Sequence, residues 1–134
     1  MAIGKVDSVQ AVQMCSEGAI YLDVRSVPEF EAGHPPGAYN IPLLHMSDVG
    51  MEPNPNFAEE AVHTLAKHHT IIVGCRSGGR SARAAVVLEG LGFTALHDYI
   101  GGWGGSAVDP GWVAHGGPSS TALEPGRHYG DIKR

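Results

Sequence analysis

The sequence is poor in cysteine, contains no long apolar run and carries its charge without blocks. With only Cys15 and Cys75 in 134 residues, no disulfide scaffold is needed at this size, and without a CxxC pair nothing suggests a structural zinc site. No segment approaches the roughly 18 apolar residues of a membrane span, and the stretch MAIGKVDSVQAVQMC has no continuous apolar core of a secretory leader. The expected location is the cytoplasm, without membrane contact. The net charge of -5 is spread along the chain, so no nucleic-acid surface is expected either.

The residues present describe an ordinary globular protein. Apolar residues make up 43% and charged residues 17% of the chain, and the length suits one domain with a real core. Eight histidines raise the question of a metal. His63 and His68 are five apart, which is not the i, i+4 spacing of a metal pair, and no HExxH pattern accompanies them. They read, with His69, as a solvated helix end that complements the helix dipole. Neither a metal nor a cofactor is expected.

Asp7 or Ser8 can cap a first helix to about residue 16, with Val9, Val12, Met14 and Cys15 turned inward and Gly18 ending it. Residues 19–25, AIYLDVR, read as a buried strand, and PEFEAG begins a short helix that Gly33 ends. GAYNIPL is a second short strand with Pro42 at its edge. Residues 44–56, LHMSDVGMEPNPN, show turn-forming types without a period and read as a long surface loop. FAEEAVHTLAK sets Phe57, Ala61 and Leu65 on one face of an amphipathic helix. A strand over residues 70–74, a helix from near Gly79 to Gly90 and the strand FTALHDY follow. Such alternation predicts an α/β fold, a mostly parallel central sheet of about five strands with helices on both faces. The domain is expected over residues 1–118, and residues 119–134 as a flexible tail.

The chemistry concentrates in CRSGGRS, where an apolar strand ends in Cys75 and a glycine-bearing loop feeds a helix. That places the sulfur at the carboxyl edge of a parallel sheet, where α/β proteins bind ligands. Gly78 and Gly79 can both take positive φ, so that successive N–H groups turn inward toward the thiol. The helix adds the positive end of its dipole, and Arg76 and Arg80 add charge. A loop of this kind favours a thiolate and holds anions.

These motifs together resemble the single-domain branch of the rhodanese family of sulfurtransferases, over about residues 3–118. YLDVRSVPEFEAGHPPGAYNIP is similar to the family's upstream signature, CRSGGRS to its active-site loop, and LGF followed by GGW to its closing elements. The resemblance implies a rhodanese-like fold, Cys75 as the sulfur-accepting nucleophile, and a cradle for persulfide and substrate made by the amides of Arg76, Ser77, Gly78, Gly79, Arg80 and Ser81. It implies that Arg80 closes the loop and that Asp23 and Arg25 support it through charge-assisted hydrogen bonds. Glu29, His34, Gly37 and Asn40 match the signature as residues that fix a turn and a strand end.

The implied reaction moves a sulfane sulfur from thiosulfate or a similar small donor, through a cysteine persulfide, to cyanide or a thiol, and the acceptor can equally be a protein. Two alternatives share the loop. One is a persulfide carrier without turnover on free thiosulfate. The other is a cysteine phosphatase or arsenate reductase, whose loop has one more residue than the four between Cys75 and Arg80.

Overall fold

The computed structural model describes residues 3–134. Its centre is a five-stranded sheet in the order β1-β7-β6-β2-β3. The strands are β1 (Ile3–Val6), β2 (Ile20–Asp23), β3 (Tyr39–Asn40), β6 (Thr70–Gly74) and β7 (Ala95–Tyr99). Every pairing is parallel. Alternate side chains serve opposite faces. Leu22, Ile71, Val73 and Leu96 join one core with Phe57 and Ala61 of α3 (Phe57–Thr64) and Ala84, Ala85 and Leu88 of α4 (Gly79–Gly90). Tyr21, Ile72 and Tyr99 join the other with Ala11 of α1 (Ser8–Ser16), Phe30 of α2 (Val27–Ala32) and Trp112 of α5 (Trp112–His115). The α/β architecture with helices on both faces is as expected. Strand β1 was not, because four residues that include a glycine and a lysine carry no readable pattern.

Helix α1 begins where its cap was expected. Asp7 accepts from Gln10 N and the Gln10 side chain returns to Asp7 N. Val12, Met14 and Cys15 pack against the core as expected, but Val9 is 64% exposed, and Ser8 and Ala11 are buried instead. The phase is set by a polar anchor. The Ser8 hydroxyl meets both Tyr99 and Asp109, and Ser8 N donates to Asp109 Oδ2 over 2.9 Å.

Residues 44–56, expected as an irregular loop, contain the antiparallel hairpin β4 (Leu44–Ser47) and β5 (Gly50–Pro53). Strand β5 is exposed along its whole length. A ribbon with little buried on either face has no hydrophobic alternation to display.

Residues 119–134, expected as a flexible tail, are docked on the domain. His34 and Ser120 exchange backbone hydrogen bonds, and Asn40 N on the edge strand donates to Arg127 O over 2.9 Å. Gly37 N donates to the Glu124 carboxylate, and the Arg127 guanidinium lies over the Tyr39 ring. Helix α6 (Tyr129–Ile132) buries Ile132 against the α3 and α4 core. The fully buried Glu60 carboxylate accepts from Tyr129 Oη, Arg134 N and Asn54 Nδ2. Burial and this carboxylate both push the Tyr129 phenol up, so it stays a donor. The tail is held by backbone bonds and single anchors, and such a segment needs no apolar period.

Deleting residues 124–134 removes two of these three donors to Glu60 and the Ile132 side chain. Urea melts are expected to show a loss of about 3 kcal/mol, and Ile132→Ala alone a loss of about 2 kcal/mol. An unchanged midpoint for the truncated chain would contradict the docking.

Candidate active site

Strand β6 delivers Cys75 to the carboxyl edge of the sheet, beside the start of α4. Gly74 has to be glycine there, since a Cβ would fall 2.1 Å from the Tyr21 hydroxyl. The loop then turns on Gly78, whose φ of +109° lies in the left-handed region. Its N–H donates to Cys75 Sγ over 3.0 Å. Gly79 was expected to share that conformation but does not, and open space surrounds the position of a Cβ there. The twelve residues of α4 begin at Gly79, so the sulfur sits by the positive end of a three-turn helix.

The loop is held from two sides. Below it, Trp103 N donates to Cys75 O over 2.8 Å and Gly104 N to Arg76 O over 2.9 Å. Gly102 permits this approach, because a Cβ would meet Arg76 O at 2.5 Å. Beside it, the Arg80 guanidinium donates through both terminal nitrogens to Glu29, at 2.7 and 3.0 Å. Glu29 also accepts from Ser26 N and Oγ. Burial raises the Glu29 carboxyl, but the Arg80 and Ser26 hydrogen bonds outweigh it and bring the group to about 2. Arg80 is thus tied to α2 through Glu29, a residue whose sequence context marks only a turn.

Asp23 and Arg25 depart from expectation. Both are buried and pair with each other, Arg25 NH2 to Asp23 Oδ2 at 2.7 Å. Arg25 also donates to Gly33 O and lies over the Trp103 ring at 5.1 Å. They support the loop through Trp103, whose N–H holds Cys75 O, and make no hydrogen bond to residues 76–81. His34, Gly37 and Asn40 keep the predicted structural part: His34 stacks on Phe30, and Asn40 Nδ2 bridges the carbonyls of Asp23 and Arg25. Ser81 contributes a hydroxyl, 3.6 Å from Sγ and 2.7 Å from Asp98 Oδ1. Asp98 escaped the sequence reading. Its signal was a carboxylate on the same strand face as buried Leu96.

Arg76 and Ser77 are exposed at the mouth, and Arg76 has no carboxylate at ion-pair distance among the described residues. Burial pushes the other thiol, Cys15, up to about 11. Among the described residues, no group of three or more histidine, cysteine or acidic side chains is placed to hold a metal ion. The arrangement therefore offers a sulfur beside the Gly78 amide, a helix terminus and one guanidinium without an ion-pair partner.

A family model described as Rhodanese-like domain matches residues 8–107. Thiosulfate sulfurtransferase 16, chloroplastic, of Arabidopsis thaliana is 40% identical over 78% of this chain and 82% of that protein. Protein HIGH ARSENIC CONTENT 1, mitochondrial, of the same plant is 35% identical over 88% of this chain and 69% of that protein. Two further relatives are matched over only 51% of their length. Among solved structures, Rv0390 from M. tuberculosis superposes with a TM-score of 0.76 at 27% identity, covering 91% of this chain and 100% of that one.

The Glu29–Arg80 pair gives a pH signature. A carboxyl lowered from 4.5 to about 2 on folding adds stability above about pH 4.5, which is lost as pH falls toward 2. The stability difference between wild type and Glu29→Gln is therefore expected to be constant near neutrality and to shrink across that window. A difference independent of pH there would remove the pair from the loop's support.

Proposed function

The chain belongs to the rhodanese-like family, and we propose that it is a sulfurtransferase which carries a sulfane sulfur on Cys75. The Cys75 thiolate attacks the outer sulfur of thiosulfate or a similar donor. A new S–S bond forms at Sγ, the donor's S–S bond breaks, and sulfite leaves with the electron pair. A thiol or cyanide then attacks the outer sulfur of the persulfide, and the Cys75 thiolate departs. The observation that carries this reading is the Gly78 amide, 3.0 Å from Sγ at the start of α4. A terminal persulfide sulfur next to that sulfur lies within the same field of amides and helix dipole.

The two arginines divide the work. Arg80 spends both terminal nitrogens on Glu29 and keeps the loop shut. Arg76, exposed at the mouth, meets the sulfite end of the donor. The arsenic-related name of one relative revives the oxyanion reading, but two features of the site disfavour it. Only four residues separate Cys75 from Arg80, and Arg80 is not free to grip a tetrahedral anion bidentately.

Thiosulfate is expected to add the mass of one sulfur to the intact protein, cyanide to remove it as thiocyanate, and Cys75→Ser to show neither. Arg76→Ala should raise KM for thiosulfate about tenfold with a smaller change in kcat, as the loss of one charge-assisted contact predicts. Hydrolysis of an aryl phosphate or reduction of arsenate without persulfide formation would overturn the assignment. A persulfide that no small acceptor discharges would make the protein a carrier.

A further inference from the structure

The Cys75 sulfur has a second polar neighbour besides the Gly78 amide. Ser81 Oγ lies 3.6 Å from Sγ and 2.7 Å from Asp98 Oδ1. Ser81 and Asp98 are both buried. A serine hydroxyl has one hydrogen and two acceptor sites. The short, charge-assisted contact with Asp98 takes that hydrogen, since the other candidate acceptor, Gly78 O, is farther off at 3.1 Å. Ser81 therefore turns a lone pair toward the sulfur. A lone pair accepts from S–H and repels a thiolate.

The geometry points to Asp98 as a positioning residue that sets, through the Ser81 hydroxyl, whether Cys75 rests as thiol or thiolate. This rests on Cys75 being the nucleophile of the sulfur transfer proposed above. With Asp98 ionised, the chain runs from S–H to Oγ and from O–H to the carboxylate, and the thiol is favoured. On activation the thiol proton passes to Ser81 Oγ as the Ser81 proton passes to Asp98. One S–H and one O–H bond break, two O–H bonds form, and one negative charge moves from carboxylate to sulfur. The Ser81 hydroxyl now donates to the thiolate, and the Asp98 acid donates to Ser81. No net charge is added to a buried site, which spares the cost of desolvating a second anion.

The surroundings suit this exchange. Burial raises the Asp98 carboxyl despite the Ser81 hydrogen bond and the charge of Lys5 on the neighbouring strand, which brings its proton affinity nearer to that of a thiol. On α4, Arg80 is bound to Glu29 of α2, and the charges of Cys75 and of Asp23 on β2 also act on it. Arg76 is exposed. His97, the neighbour of Asp98 on β7, packs against Gly4 of β1.

The test is a pH titration of the thiolate by its ultraviolet absorbance, in a Cys15→Ala background, which depends on neither substrate nor turnover. Asp98→Asn is expected to lower the midpoint by about one pH unit, about tenfold more thiolate below it. Ser81→Ala should lower it similarly, and the double variant no further than either single one. An unchanged or higher midpoint in Asp98→Asn overturns the proposal. So does a full Asp98→Asn shift in the Ser81→Ala background, which would mean a charge acting through space. Should Asp98→Asn not fold, the Ser81→Ala titration decides by the same sign. The titration as expected, in a protein that never gains a sulfur, would refute the sulfur transfer alone.

Discussion

The loop from Cys75 to Ser81 can keep the Gly78 amide on the Cys75 sulfur only while its own carbonyls and its arginine are held elsewhere. The backbone of Gly102 to Gly104 takes the first part, accepting no side chain at Gly102 and donating from Trp103 and Gly104 to the carbonyls of Cys75 and Arg76. Glu29 takes the second by binding both terminal nitrogens of Arg80. The two supports, α2 and the segment after β7, are far apart in sequence. Only the closed fold brings them together. Preorganisation of this kind is what lets amide dipoles act on a developing anion without rearranging.

Buried acids tie the periphery to this centre. Asp109 fixes Ser8 at the start of α1 and accepts from Gly111 N just before α5. Burial disfavours its charge, but the Ser8 and Gly111 hydrogen bonds outweigh this and hold the carboxyl low. Trp112 then fills the core against Tyr21 and Tyr99, with ring centroids 5.3 and 6.3 Å away. Glu60 does the corresponding work on the other face, where it joins α3 to the docked tail and, through Asn54, to the backbone at Pro42 ahead of the hairpin. Each carboxylate is satisfied by hydrogen bonds from several donors, which is the condition for burying one.

What was legible in the sequence follows the same physics. Strands β2 and β6 show as short apolar runs because both of their faces are buried, helices α3 and α4 show a helical pattern because each buries one face, and Cys75 is marked by the abrupt change from apolar strand to glycine loop. Elements held by backbone pairing leave no such mark, which is why β1, the hairpin and the tail were missed. Glu29 looked like a cap because it is one; its bond to Arg80 spans 51 residues and has no local signal. Asp98 and Ser81 meet across 17 residues, again beyond local reading. The inward assignment of Val9 failed because Asp109, far along the chain, sets the phase of α1.

If the Gly78 amide and its loop neighbours hold the transferred sulfur, they must respond when it arrives. The most direct measurement is the loop's amide resonances in isotope-labelled protein before and after thiosulfate. The account predicts that Gly78 and its loop neighbours shift and exchange more slowly when Cys75 carries the persulfide, return after cyanide, and stay still in Cys75→Ser. A persulfide-bearing protein whose loop amides do not respond would contradict it.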